Sequence, residues 1–217
     1  MKFVLPTKID RSKRKSISIV INKDNILIKA PLRASETAIK QVLLNKQAWI
    51  EKSITKVQHK IGTQELINSK NIYLQGRPFP VEIDSSIHSL KFATDRFLVS
   101  STSNLEKQVK VFIQNSFHKY LEQKVFSNAQ KMNVFAKVKK IRLSSTKNSW
   151  GSCSSNGTIA LNWKLSLIPQ ELANYVIIHE LSHLIYMNHS QEFWSQVSQF
   201  YPKFKVAKKI LKRYSLS

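Results

Sequence analysis

His179, Glu180, His183 and His189 fall within eleven residues of one another, in the pattern H-E-x-x-H-x-x-x-x-x-H. On a helix, residues four apart lie on the same face, so His179 and His183 can aim their imidazoles at one point. Zinc takes four ligands in a tetrahedron, and a catalytic zinc keeps one of those positions for water. Two histidines from the helix and a third from just beyond its end leave that position open. Glu180 would stand beside the water, where a general base is needed. The expected cofactor is therefore Zn2+, with His179, His183 and His189 as ligands and Glu180 as the catalytic residue.

The element that must position these groups is legible around them. Pro169 suits a first helical position, because the N–H it lacks would go unbonded there. Leu172, Tyr175, Val176, Ile177 and Ile178 follow, and a stretch apolar all round predicts a buried helix. Asn188 is the expected C-terminal stop. Ser190 is placed to cap a next helix, Gln191 to Phe200, which Pro202 would end. A buried apolar helix is a costly place for two histidines and a glutamate unless something compensates them. The remaining histidines, His59, His88 and His118, are read as ordinary surface or satisfied groups.

Composition bounds the alternatives. The 217 residues are 42% hydrophobic, enough for a real core in one large domain or two small ones. Cys153 is the single cysteine, so an internal disulfide is excluded, which fits a reducing compartment. It reads as a small packed residue, since three histidines and a water already complete a site. The opening run Met1–Pro6 is too short for a secretory h-region, and no stretch approaches the roughly 18 apolar residues of a membrane span. A soluble cytoplasmic protein with no membrane partner is the expectation.

The net charge is +22, unevenly spread. Residues 1–60 carry 14 Lys/Arg against 4 Asp/Glu, 103–149 carry 10 against 2, and 201–217 carry 6 against none. Residues 150–200, which hold the motif, carry 1 against 3. Basic flanks around a neutral centre could hold a polyanion, nucleic acid or nucleotide, while chemistry proceeds elsewhere. Lysine-rich compositional bias explains the same charge, and no nucleic-acid module is legible.

The rest of the chain suggests an α+β protein in two parts. An N-terminal strand/helix module, 1–102, precedes a small zincin-like domain, 103–217, whose metal-binding helix packs near a short sheet. In the first part, Ser16–Ile21 and Ile26–Ala30 predict a hairpin, and Ser35 caps a long helix to about Val57. The inner stripe of that helix is Ile39, Val42, Leu43, Trp49, Ile50, Ile54 and Val57. Asn71–Ile83 and Leu90–Ser100 read as further strands. In the second part, Leu105 to Ala129 has helical spacing and Val138 to Leu143 is a strand. Thr158 to Trp163 alternates, and could offer a sheet edge to an extended peptide. Phe204, Ala207, Leu211 and Tyr214 mark a docked amphipathic helix.

Several blocks together carry a resemblance. They are Trp150-Gly151-Ser152-Cys153-Ser154, Ile159 through Leu165, His179 through Leu184, and Asn188-His189-Ser190 with Phe193-Trp194. Basic Arg11–Lys15, Ala30-Pro31-Leu32 and Trp49-Ile50 match further upstream. The chain resembles the YgjP-like family of zinc metallopeptidases, related to SprT-like proteins within the zincins. The resemblance implies the same three histidine ligands and Glu180 as catalytic acid/base. Ser149 stands where the family often has Arg. The metzincins share the ligand spacing, but they have Gly where this chain has Tyr186, and no Met-turn follows here. Tyr186 could donate to an oxyanion or simply pack beside the site.

The function expected is that of a zinc-dependent metallohydrolase, an intracellular peptidase acting on a peptide or protein substrate. The alternatives are a metal-dependent hydrolase of nucleotide phosphoanhydrides and a protease associated with nucleic acid, because the motif specifies water activation more firmly than the bond broken.

Overall fold

Apolar residues at every second position of Ile26, Ile28 and Ala30 put one face of a strand into a core and leave the other outside. A computed structural model of the chain describes residues 3–58 and 60–216. His59 lies outside the described residues. The chain forms two compact units, 1–60 and 61–217.

In the first unit, β1 (Thr7–Ser12), β2 (Ser18–Ile21) and β3 (Ile26–Pro31) form a sheet in the order β1-β3-β2. β2 and β3 make the expected antiparallel hairpin, and β1 pairs parallel to β3, a strand the sequence pattern did not reveal. Ser35 caps the next helix by accepting from the Ala38 N–H at 3.1 Å. The expected long helix is two: α1 (Glu36–Asn45) and α2 (Gln47–Gln58). Lys46, at φ −109° and ψ 8°, interrupts the helical geometry between them. Ile39, Ile50 and Ile54 are buried, whereas Trp49 is 50% exposed. Adjacent helix positions point about 100° apart, so Trp49 cannot share the inner stripe once Ile50 and Ile54 occupy it.

The second unit begins with a single helical turn, α3 (Thr63–Leu66). β4 (Asn71–Leu74), β5 (Arg77–Ile83), β6 (Lys91–Ala93) and β7 (Arg96–Val99) then build a sheet in the order β4-β5-β7-β6. The segment Leu90–Ser100 is thus a hairpin, turning at Thr94 and Asp95, not one strand. Two helices follow, α4 (Leu105–Ser116) and α5 (His118–Lys131), parted at Phe117. β8 (Lys140–Ser144), β9 (Gly151–Cys153) and β10 (Thr158–Asn162) form a second sheet. Three helices complete the unit: α6 (Gln170–Ser182), α7 (Gln191–Phe200) and α8 (Phe204–Leu211).

The boundary between compact units lies at 60/61, whereas the sequence suggested a division at 102/103. The reason is a shared core. Ile72, Phe97 and Val99 from the first sheet pack in one cluster with Val109, Leu161, Trp163 and Ile177. The strand expected to offer a sheet edge is also placed differently. β10 runs through the middle of its sheet, parallel to β8 and antiparallel to β9, so both its edges are occupied. The edge beside α6 belongs to β9.

Leu161, on that central strand, is wholly buried. Leu161→Ala is expected to cost about 2–5 kcal/mol in urea unfolding, while Val111→Ala, at a position 46% exposed, changes stability by about 0.5 kcal/mol or less. Equal losses at the two positions would contradict this account of the core.

Candidate metal centre

Helix α6 carries the first two histidines because it is enclosed. Leu172, Ala173, Tyr175, Val176, Ile177, Ile178 and Leu181 are buried around its circumference, and α5, α7, α8, β9 and β10 all pack against it. Pro169 is its N-cap, one position before the first helical residue. The helix ends at Ser182 with His183 as C-cap, well before the expected stop at Asn188. Ser182 Oγ donates back to the Ile178 carbonyl at 2.8 Å. Beyond it the bonds tighten to i→i+3, from the Leu184 N–H to Leu181 O at 3.1 Å and from Ile185 N–H to Ser182 O at 3.1 Å. That tight turn brings the chain round to His189.

The structure brings His179, His183 and His189 together, with one ligand atom of each within 4.8 Å of the others. Nε2 of His179 lies 3.1 Å from Nε2 of His189. Arms of 2.0–2.1 Å in a tetrahedron have edges of roughly 3.3–3.4 Å, so this spacing suits two ligands of one zinc ion. His183 Nδ1 meets the Tyr186 carbonyl oxygen at 3.0 Å. A proton on that nitrogen leaves Nε2 with a free lone pair. Burial, then the neighbouring His183, His189 and Lys208, pushes His179 down to about 3. Burial also lowers His183. Neutral imidazoles are the form that binds a metal. His179 Nδ1, the nitrogen turned away from the cluster, is buried with no hydrogen-bond partner among the described residues.

Phe193 organises the three rings. It is fully buried, and its ring centroid lies 4.9, 4.5 and 4.8 Å from those of His179, His183 and His189. Its neighbour Trp194 stacks on His189 at 5.6 Å and 20°, and on Phe204 at 5.4 Å and 18°. Both aromatics enter from α7, whose start is fixed by Ser190 Oγ accepting from the Phe193 N–H at 3.4 Å. Sequence reasoning found this cap and this helix but assigned the two aromatics no role. The available signal was their place, three and four residues after the capping serine.

Glu180 is 6% exposed, and burial raises its carboxyl to about 8. The side chain crosses Gly151 on β9. A Cβ there would stand 2.7 Å from Glu180 Cγ and 2.8 Å from Oε1. Only a residue without a side chain leaves room for the carboxylate in this position. Burial, then the charge of Glu180, lifts Cys153 to about 11 and Tyr175 to about 12. Cys153 is therefore a packed thiol and is absent from the ligand cluster. Tyr186 packs against the core, and its carbonyl is what meets His183. His88 is exposed, and His118 lies 3.7 Å from Glu122, both outside the cluster.

A family model described as "YgjP-like, metallopeptidase domain" matches residues 15–214. Among solved structures, the chain is similar to the crystal structure of the metallopeptidase zymogen of Pyrococcus abyssi abylysin. That match is 27% identical with a TM-score of 0.39, covering 43% of this chain and 93% of that one. No curated protein matches the chain.

The burial of Glu180 has a measurable consequence. Its folded-state pKa, about 8, lies above the ordinary 4.5. The stability it contributes is therefore complete below the ordinary value and is lost as pH rises through about 8. In the chelated, metal-free chain, the Tm of the wild type should fall relative to that of Glu180→Gln between about pH 5 and 9. Parallel curves would show that the carboxyl is not buried in this way.

Proposed function

The chain belongs to the YgjP-like metallopeptidase family, and on that premise we propose that it is a zinc-dependent peptidase in which His179, His183 and His189 hold the ion and Glu180 moves the proton. One observation carries the proposal: three imidazoles converge near a carboxyl group buried against Gly151. Nitrogen donors from three histidines suit zinc and leave a position for substrate. Zinc held there would polarise the scissile carbonyl and lower the pKa of a water toward about 7.

The chain's own groups do the rest. Phe193 and Trp194 hold the imidazoles in their converging orientation, and the Tyr186 carbonyl fixes the His183 ring. Glu180 accepts the proton of the attacking water. Burial gives its carboxylate the proton affinity this needs at neutral pH, and a cation beside it draws that affinity back down. The same carboxyl then returns the proton to the leaving amine. The peptide lies extended along β9, the edge strand beside α6, and pairs with its backbone by strand addition. Among the described residues, no helix is long and apolar enough to cross a membrane.

Glu180→Gln should keep its zinc and lose at least about a hundredfold in turnover of casein or a quenched peptide. Gly151→Ala should behave similarly, because its new methyl group displaces the carboxylate while sparing the histidines. Nucleoside triphosphates assayed alongside should remain intact. Turnover retained in Glu180→Gln would remove that residue from the mechanism, and cleavage of the triphosphate alone would replace the peptidase reading with a phosphoanhydride hydrolase.

A further inference from the structure

We propose that a cavity beside His183 is a substrate subsite that selects an acidic side chain next to the scissile bond. The proposal rests on the peptidase reading and extends it to substrate class. The cavity has a volume of about 480 Å³, and its lining includes His183, Met187, Lys137, Lys139, Ser154 and Asn156. Its histidine is one of the three in the metal cluster, so a group held in the cavity lies beside the reacting bond. The strand that a peptide would pair with leads to the same place, since β9 ends at Cys153 and Ser154 already lines the cavity.

The charge of the cavity is one-sided. Two lysines line it and no Asp or Glu does. Their hydrogen bonds go to backbone carbonyls: Lys137 Nζ donates to Leu184 O at 3.4 Å, and Lys139 Nζ to Ala136 O at 2.9 Å. Neither lysine has a carboxylate partner among the described ion pairs. A carbonyl dipole leaves most of a cation's charge uncompensated, so each ammonium can still take an anionic partner. The Ser154 hydroxyl is engaged within the turn, donating to Asn156 Oδ1 at 2.5 Å, while the side-chain amide of Asn156 keeps its N–H donors.

The wall that holds the lysines is built into the fold. Gly157 has φ +81°, and a Cβ there would collide with the Lys137 carbonyl oxygen and stand 3.0 Å from Lys139 Cγ. Its own carbonyl accepts from the Lys139 N–H at 2.9 Å. The left-handed conformation that glycine tolerates thus clamps the 154–157 turn onto residues 137–139. The backbone that carries the two ammonium groups is fixed.

The test uses the zinc-loaded full chain and three quenched peptides, amidated at the C-terminus, identical except for Glu, Gln or Lys beside the cleaved bond. The wild type should prefer Glu to Gln by about two- to fivefold, the size expected of one or two exposed ion pairs, and should disfavour Lys. In the double variant Lys137→Glu/Lys139→Glu the order should reverse, with Lys preferred to Gln and Gln to Glu. Equal rates for the three peptides, or an unchanged order in the double variant, would overturn the subsite. Binding of the same peptides to zinc-loaded Glu180→Gln, followed by fluorescence anisotropy, separates the two claims. A Glu preference in binding that the charge reversal abolishes, with no turnover by the wild type, would leave the subsite standing and overturn the peptidase reading. Binding without preference would overturn the subsite whatever the turnover.

Discussion

Polar groups on a helix that is apolar all round must be compensated locally, because bulk water cannot reach them. Helix α6 has this problem at His179 and Glu180, and much of the second unit's architecture answers it. α5 and α8 cover the apolar flanks, β9 covers Glu180, and α7 presents Phe193 and Trp194 to the imidazoles. Burial favours the neutral form of His179 and His183 and leaves the Glu180 carboxyl avid for a proton. The protonation states that metal binding and base catalysis require are therefore consequences of the packing.

The centre is assembled from three places in the chain. α6 supplies two rings and the carboxyl, the turn after it supplies His189, and Gly151 supplies the space that Glu180 occupies. The early end of α6 matters here. A helix continued to Asn188 would carry the chain onward along the axis by about 1.5 Å per residue. The tight turn through Ile185 brings it back, so that His189 closes on His179.

Periodicity made much of this legible. Four-residue spacing put His179 and His183 on one face, serine caps at Ser35 and Ser190 marked two helix starts, and alternation found β2 and β10. What escaped depended on neighbours distant in sequence. Alternation says which face of β10 is buried, but whether its edges are paired is decided by β8 and β9. Phe193 and Gly151 look unremarkable in a string of letters, since their roles come from contacts with side chains on another element. Asn71–Ile83 and Leu90–Ser100 read as strands of the N-terminal module, and the packing of Ile72, Phe97 and Val99 places them in the larger core. Breaks at Lys46 and Phe117 left no turn residue such as Gly or Pro to announce them.

The central claim is that three histidines form one zinc site, and metal content tests it most directly. The purified full chain, supplied with zinc and freed of excess, should hold about one zinc per chain, and folded His189→Ala should hold markedly less. A wild-type chain that takes up no zinc, or a variant that retains the full amount, would contradict the three-histidine site.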